Sequence, residues 1–165
     1  MQPNTKEALR WIVTILKEND IPYQVGGGAA MALYGSDRPV NDIDISLSGK
    51  YFPGLVPIVE KYIVAGPKHY QNEKWDCVTL SLRYCDQDID LTDVDTLLMK
   101  SGDDAEWIKN KDLYAMHPDV EVMLEEYSVT LMHPRVLLAY KEHLAGTHQE
   151  ADREFLRAYL KENQL

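Results

Sequence analysis

The chain has 165 residues, with 17 Lys plus Arg against 27 Asp plus Glu, a formal net charge of −10. That length fits one domain, or a compact core with a small appended bundle. The acidic balance argues against a broad basic face clamping nucleic acid, because phosphate contacts need many cations; it leaves room for a short basic contact or for a site whose field is inverted by bound metal ions.

A helix is expected from Asn4, with Glu7 three residues on as a capping-box partner. Leu9, Ile12, Val13 and Leu16 share one helical face, and Asn19 and Asp20 end the pattern before Pro22. Tyr23 to Val25 reads as a short strand running into Gly26, Gly27 and Gly28. A small-residue helix from Ala29 to Tyr34 follows, closed by Gly35. Asp42 to Ser48 alternates strictly, with Ile43, Ile45 and Leu47 on one face and Asp42, Asp44, Ser46 and Ser48 on the other, as in a half-buried strand.

Pro53 to Tyr62 reads as a helix opened by proline. Val78 to Tyr84 and Asp88 to Val94 are β-rich runs flanking a turn at Cys85, Asp86 and Gln87. Asp103 to Lys111 is weakly helical, and Val120 to Leu131 holds a strand pair or a strand and a bend. Pro134 to Leu144 is helical. Thr147 and Glu150 form a second capping-box pattern launching a last helix through Phe155, Leu156, Tyr159 and Leu160. A composition shift near Met132 divides an α/β core, residues 1–131, from a helical extension, residues 132–165, packed on it as one unit.

Chemistry concentrates between Gly26 and Asp44. Glycines between a strand and a helix let backbone approach a phosphate closely. Asp42 and Asp44, two apart on a strand, point to the same side and repel unless something positive lies between them. A hard divalent cation with oxygen ligands, Mg²⁺ above all, meets that need and also carries nucleotide phosphates. A third carboxylate from a neighbouring strand completes a two-metal site for in-line displacement at phosphorus. Asp88 and Asp90 share the polar face of their strand, and parity does not separate them; Asp90 lies further inside the strand and is the preferred candidate, with Asp88 as the alternative.

Residues 24–47, QVGGGAAMALYGSDRPVNDIDISL, resemble the signature of the polymerase-beta-like nucleotidyltransferase superfamily. The likeness is to its small members with a Gly-Gly loop, a helix ending in Gly, an Arg, and Asp-x-Asp on the next strand. That group includes antibiotic-modifying enzymes and toxin-like nucleotidyltransferases. The resemblance implies an α+β fold: a short, mixed, mostly antiparallel sheet with helices packed on it, here followed by a C-terminal helical hairpin. It implies transfer of a nucleoside monophosphate from a nucleoside triphosphate, ATP among them, to an acceptor hydroxyl on a small molecule such as an aminoglycoside, or on tRNA or protein.

By the same resemblance, Gly26 and Gly27 hold the triphosphate. Asp42 and Asp44 ligate two magnesium ions, and Asp90 ligates the catalytic one and helps deprotonate the acceptor. Arg38 buttresses the loop or a carboxylate, and Lys141, in a terminal helical pair with Asp152, contacts nucleotide. Two departures are visible: Gly27 stands where many members have Ser, and Val40 where Ser or Thr is common. The second functional class is a non-catalytic nucleotide-binding or protein-interaction module that keeps this fold.

Other residues read as structure. Arg38 can equally pair with Asp37 or Asp42. His143 and His148 are five apart, not the spacing of a helical zinc pair. Asp103, Asp104, Glu125 and Glu126 are solvated charge, and Trp11, Trp75 and Trp107 are scattered core or rim residues. Leu156, Tyr159 and Leu160 share a face that either docks a partner or second copy or packs on the core. Cys77 and Cys85 fit no disulfide scaffold or metal pattern, which fits a reducing cytoplasm. No apolar run nears the roughly 18 residues of a membrane span, and the start MQPNTKE is no signal peptide.

Overall fold

The computed structural model describes residues 1–101, 105–144 and 147–165, with Thr147 and His148 described by backbone alone. Asp103, Asp104, the Thr147 side of the second capping box and the His148 ring therefore lie outside the described residues. Helix α1 (Pro3–Glu18) begins on Pro3 with Gln2 at the N-cap and no capping side chain. The Asn4–Glu7 capping box does not form, because proline's fixed φ and missing N–H suit Pro3 to the first helical position, which moves the N-cap two residues back to Gln2. Asn4 instead donates its amide to the Cys85 carbonyl at 3.3 Å. The apolar stripe is as expected: Leu9, Ile12, Val13 and Leu16 are buried.

Among the described residues, nine strands form one sheet: β1 (Tyr23–Val25), β2 (Asp42–Leu47), β3 (Ile63–Gln71), β4 (Trp75–Tyr84), β5 (Gln87–Asp93), β6 (Leu98–Met99), β7 (Ile108–Lys109), β8 (Val120–Leu124) and β9 (Tyr127–Leu131). Their order is β7-β6-β4-β5-β2-β1-β9-β8, with β3 beside β4. The β2–β5 and β1–β9 pairs are parallel and the rest antiparallel. Cys85 and Asp86 alone make the β4–β5 turn, both at positive φ (49° and 56°), so Gln87 already belongs to β5. Strand β3 escapes sequence reading because its Gly66 and Pro67 look like a turn; as an outer strand paired only with β4 it tolerates both.

Helices α2 (Gly27–Leu33), α3 (Phe52–Val59), α4 (Asn110–Tyr114), α5 (Pro134–Glu142) and α6 (Thr147–Glu162) complete the chain. Of the weak helix expected over Asp103 to Lys111, the described part holds β7 and then the start of the short α4 at Asn110. Ile43, Ile45, Leu80, Leu82, Ile89 and Leu91 from the central strands join the α1 stripe in one core, together with Val136, Leu137 and Leu156 from the last two helices. Leu156 and Leu160 are buried and Tyr159 packs beside them, so that stripe faces the chain's own core. No described helix is long and apolar enough to cross a membrane.

His117 and His133 stack at 4.8 Å, and His133 Nδ1 accepts from the Arg135 N–H at the start of α5. Leu91 lies at the centre of the core with no exposure. Leu91→Ala is expected to cost about 2–5 kcal/mol by loss of burial and cavity formation, read as a lower urea midpoint with unchanged slope.

Candidate active site

The site rests on the register between β2 and β5. Parallel pairing sets Asp42 beside Asp88 and Asp44 beside Asp90. Alternation turns all four away from the core, because Ile43, Ile45, Ile89 and Leu91 occupy the other face. One oxygen from each of Asp42, Asp44 and Asp90 lies within 4.8 Å of the others. Asp88 does not join them; Arg83 draws it into an exposed ion pair at 2.7 Å. Asp90 is held instead by Ser81, which donates to its Oδ1 at 2.6 Å from the adjacent strand.

Three carboxylates so close are electrostatically strained. Burial, then the Asp42 and Asp90 charges, push the Asp44 carboxyl up to about 7, against a smaller opposing pull from Lys141. Asp42 is also raised, by burial and then by Asp90. None of the three takes part in an ion pair among the described residues. An all-oxygen donor set with an excess of negative charge fits a hard divalent cation.

The glycine loop lies directly beneath. Gly26 N–H donates to the Asp44 carbonyl at 2.9 Å, tying the loop to β2. Gly27 has φ +53°, and a Cβ there would sit 2.0 Å from Asp44 Oδ2. Its bare backbone is therefore what lets the loop pass under the carboxylate.

Arg38 and Lys141 meet at Asp152 on α6. Arg38 holds both Asp152 oxygens, at 2.8 and 2.9 Å, and Lys141 Nζ reaches Oδ2 at 2.7 Å. Arg38 thus pairs with neither Asp37 nor Asp42. Lys141 and Asp152 are almost fully buried, with side-chain exposures of 2% and 1%. Two cations share one anion, so the trio keeps a net positive charge. Val40 packs against the core.

Two cavities share Asp44 in their lining. One, of about 140 Å³, is lined by Gly27, Asp42, Asp44, Arg38, Lys141 and Tyr140, among others. The other, of about 260 Å³, lies over the sheet and is lined by Asp44, Asp90, Thr92, Trp75, Tyr114 and Tyr140, among others. Sequence reading missed Tyr114, Tyr140 and Ser81 and took Trp75 for a core or rim residue. Only Ser81 carried a usable signal, its place on the alternating face of β4.

No family model matches the chain, and no curated protein matches it. Solved structures do. A protein of Thermotoga maritima assigned as a nucleotidyltransferase superposes with a TM-score of 0.72 at 20% identity, covering 98% of this chain and 96% of its own. The lincosamide antibiotic adenylyltransferase LnuA, bound to lincomycin, gives 0.61 at 12% identity, covering 93% and 96%. The antibiotic-resistance factor ANT(2'')-Ia, in complex with adenylyl-2''-tobramycin, gives 0.60 at 16%, covering 98% and 91%. The chain has the nucleotidyltransferase fold.

Because Asp44 holds a proton more tightly folded than its ordinary value of 3.8 allows unfolded, metal-free stability should fall as pH rises from that value through about 7. Asp44→Asn should flatten this slope and stabilise the metal-free protein above pH 7 by roughly 1 kcal/mol or more, one pKa unit being worth about 1.4 kcal/mol. Thermal melts in chelator at pH 5.5 and 8 measure both. Asp152→Asn strands the buried Lys141 ammonium and should cost about 3–5 kcal/mol. Lys141→Met, which leaves Asp152 its Arg38 partner, should cost less in the same denaturant titration.

Proposed function

We propose that the protein is a metal-dependent nucleotidyltransferase, moving a nucleoside monophosphate from a nucleoside triphosphate to an acceptor hydroxyl with release of pyrophosphate. The observation that carries this reading is the Asp42, Asp44 and Asp90 cluster, closed to within 4.8 Å directly above the Gly26–Gly27 loop. In this reading those three aspartates hold magnesium, with two ions expected. When bound, magnesium supplies neutralisation of the charge that builds on the transferring phosphoryl group.

The chain's own residues do the rest by positioning. Gly26 and Gly27 leave the backbone bare for close approach of the triphosphate. Arg38 and Lys141 line the smaller cavity and set a positive field for its anionic tail, since Asp152 neutralises only one of them. Asp90, with Oδ1 engaged by Ser81, keeps its second oxygen for the acceptor's proton. Such a site works by orientation and electrostatics, with little covalent chemistry asked of the side chains. The acceptor is a small molecule such as an aminoglycoside, or tRNA or protein; lincomycin, bound in the LnuA structure, and tobramycin, whose adenylyl-2'' derivative is bound in the ANT(2'')-Ia structure, are the first probes.

The test is calorimetric titration with each of the four nucleoside triphosphates, with and without Mg²⁺, followed by transfer assays. Binding should require Mg²⁺. Asp42→Asn, Asp44→Asn and Asp90→Asn should each lower transfer by at least about a hundredfold, since even residues behind metal ligands cost 10–100-fold. Asp88→Asn, which loses only an exposed ion pair, should transfer at close to the wild-type rate. Retained turnover in Asp44→Asn would sink the assignment; binding without any turnover would favour a nucleotide-binding module.

A further inference from the structure

The two cavities that share Asp44 have three lining residues in common among those described: Gly27, Asp44 and Tyr140. Gly27 belongs to the glycine loop and Asp44 to the carboxylate cluster. Tyr140 comes from neither; it reaches the same place from helix α5, and the nucleotidyltransferase reading gives it no task.

Its ring is held from two directions. Lys141, the next residue in α5, is buried in its ion pair with Asp152 at 2.7 Å, which fixes the rotation of the helix. Successive helical side chains diverge by about 100°, so Tyr140 leaves the helix on a different side from Lys141. There it packs against Trp75 of β4 and Tyr114 of α4, at ring-centroid distances of 6.2 and 6.0 Å, the second edge-to-face. Nearby tyrosines use their hydroxyls within the protein: the Tyr114 oxygen accepts from Asn110 Nδ2 at 3.2 Å, and Tyr34 donates to the Met132 carbonyl at 2.9 Å. The Tyr140 hydroxyl makes no hydrogen bond among the described residues. Burial, then Tyr114, then the charges of Asp44 and Asp42 hold its proton more tightly than the ordinary value of 10, so the hydroxyl lies within the field of both carboxylates. An ordinary phenol already keeps its proton at neutral pH, and Tyr140 therefore meets the site as a neutral donor.

What this hydroxyl meets follows from where the donor's phosphates lie. In the nucleotidyltransferase reading the β- and γ-phosphates occupy the smaller cavity, beside Gly27, Arg38 and Lys141. The α-phosphorus is the reacting centre and belongs where the three aspartates converge. Asp44 is the one of the three that lines both cavities, which sets the α-phosphate at their shared boundary, where Tyr140 also stands. Resting on that reading, we propose that the Tyr140 hydroxyl donates a hydrogen bond to one non-bridging oxygen of the α-phosphate. It orients the phosphoryl group and gives up no proton. Because the donor carries no charge, it complements magnesium on Asp42, Asp44 and Asp90 without repelling it. Its ring is already fixed by Trp75 and Tyr114, so little ordering is left to be done when the nucleotide binds. The two non-bridging α-oxygens are stereochemically distinct, and a donor fixed in place selects one of them.

The test is calorimetric titration in Mg²⁺ with the nucleoside triphosphate that binds best and with its two α-phosphorothioate diastereomers. In each diastereomer sulfur, a weak hydrogen-bond acceptor, replaces one of the two oxygens. Wild type is compared with Tyr140→Phe, which keeps the ring and its packing. The variant should bind the unmodified triphosphate about tenfold more weakly, the scale of one hydrogen bond to a charged group. That ratio should persist for one diastereomer and fall to near one for the other. A ratio near one for all three ligands overturns the proposal. So does an equal loss for all three, which would give the hydroxyl to the nucleoside, to the distal phosphates or to packing alone. Failure of the wild-type protein to bind any triphosphate would strike the nucleotidyltransferase reading itself, and this contact with it.

Discussion

The crowding of three carboxylates across two parallel strands is the constraint on which the rest of this structure turns. Like charges within 4.8 Å do not gather unaided. What holds them is burial on the opposite face of the same strands, where Ile43, Ile45, Ile89 and Leu91 are all but fully inside the core. A one-residue slip of β5 would expose Ile89 and Leu91 and bury its aspartates, so hydrophobic burial fixes the register and the register fixes the charges. The raised Asp44 carboxyl is the electrostatic consequence of that arrangement. A site that opposes its own ionisation when empty is one that a cation stabilises.

The C-terminal helices bring the other half of the site. Helix α5 contributes Tyr140 and Lys141, and α6 contributes Asp152, which clasps Arg38 from the far side of the glycine loop. Burying Lys141 and Asp152 carries a desolvation cost that their pairing offsets only in good geometry, so such a group is better understood as a positional device than as a source of stability. It locks α5 and α6 against the segment between α2 and β2. The order of Asp42, Asp44 and Asp90 between the cationic cavity and the aromatic cleft follows from this docking. Fold and polarity of the site are thus set by different forces: apolar burial for the strands, a buried ion network for the helices.

How far this could be read in advance depended on the range of the interaction involved. The α1 stripe, the alternation of β2 and β5 and the Gly26–Gly27 loop are local patterns whose period or residue type is their own evidence. The start of α1 departs from the capping pattern at Asn4 because Pro3 decides the boundary. Strand β3 was invisible because an outer strand accepts the Gly66 and Pro67 that elsewhere mark a turn. Asp88 and Asp90 share a strand face, and only the position of Arg83 and Ser81 on the neighbouring strand draws one outward and holds the other in.

The sequence by itself therefore determined which residue types stand ready: two aspartates on one strand face, two more on another, a bare loop, and cations at Arg38 and Lys141. Only the tertiary structure decided their partnerships. Asp152, more than a hundred residues from Arg38, is that residue's ion-pair partner, and Tyr140 and Trp75 meet across a cleft although 65 positions separate them. Periodicity reports which way a side chain points from its own element. What it meets there depends on how elements distant in sequence pack, and that is settled by burial and charge pairing over the whole chain.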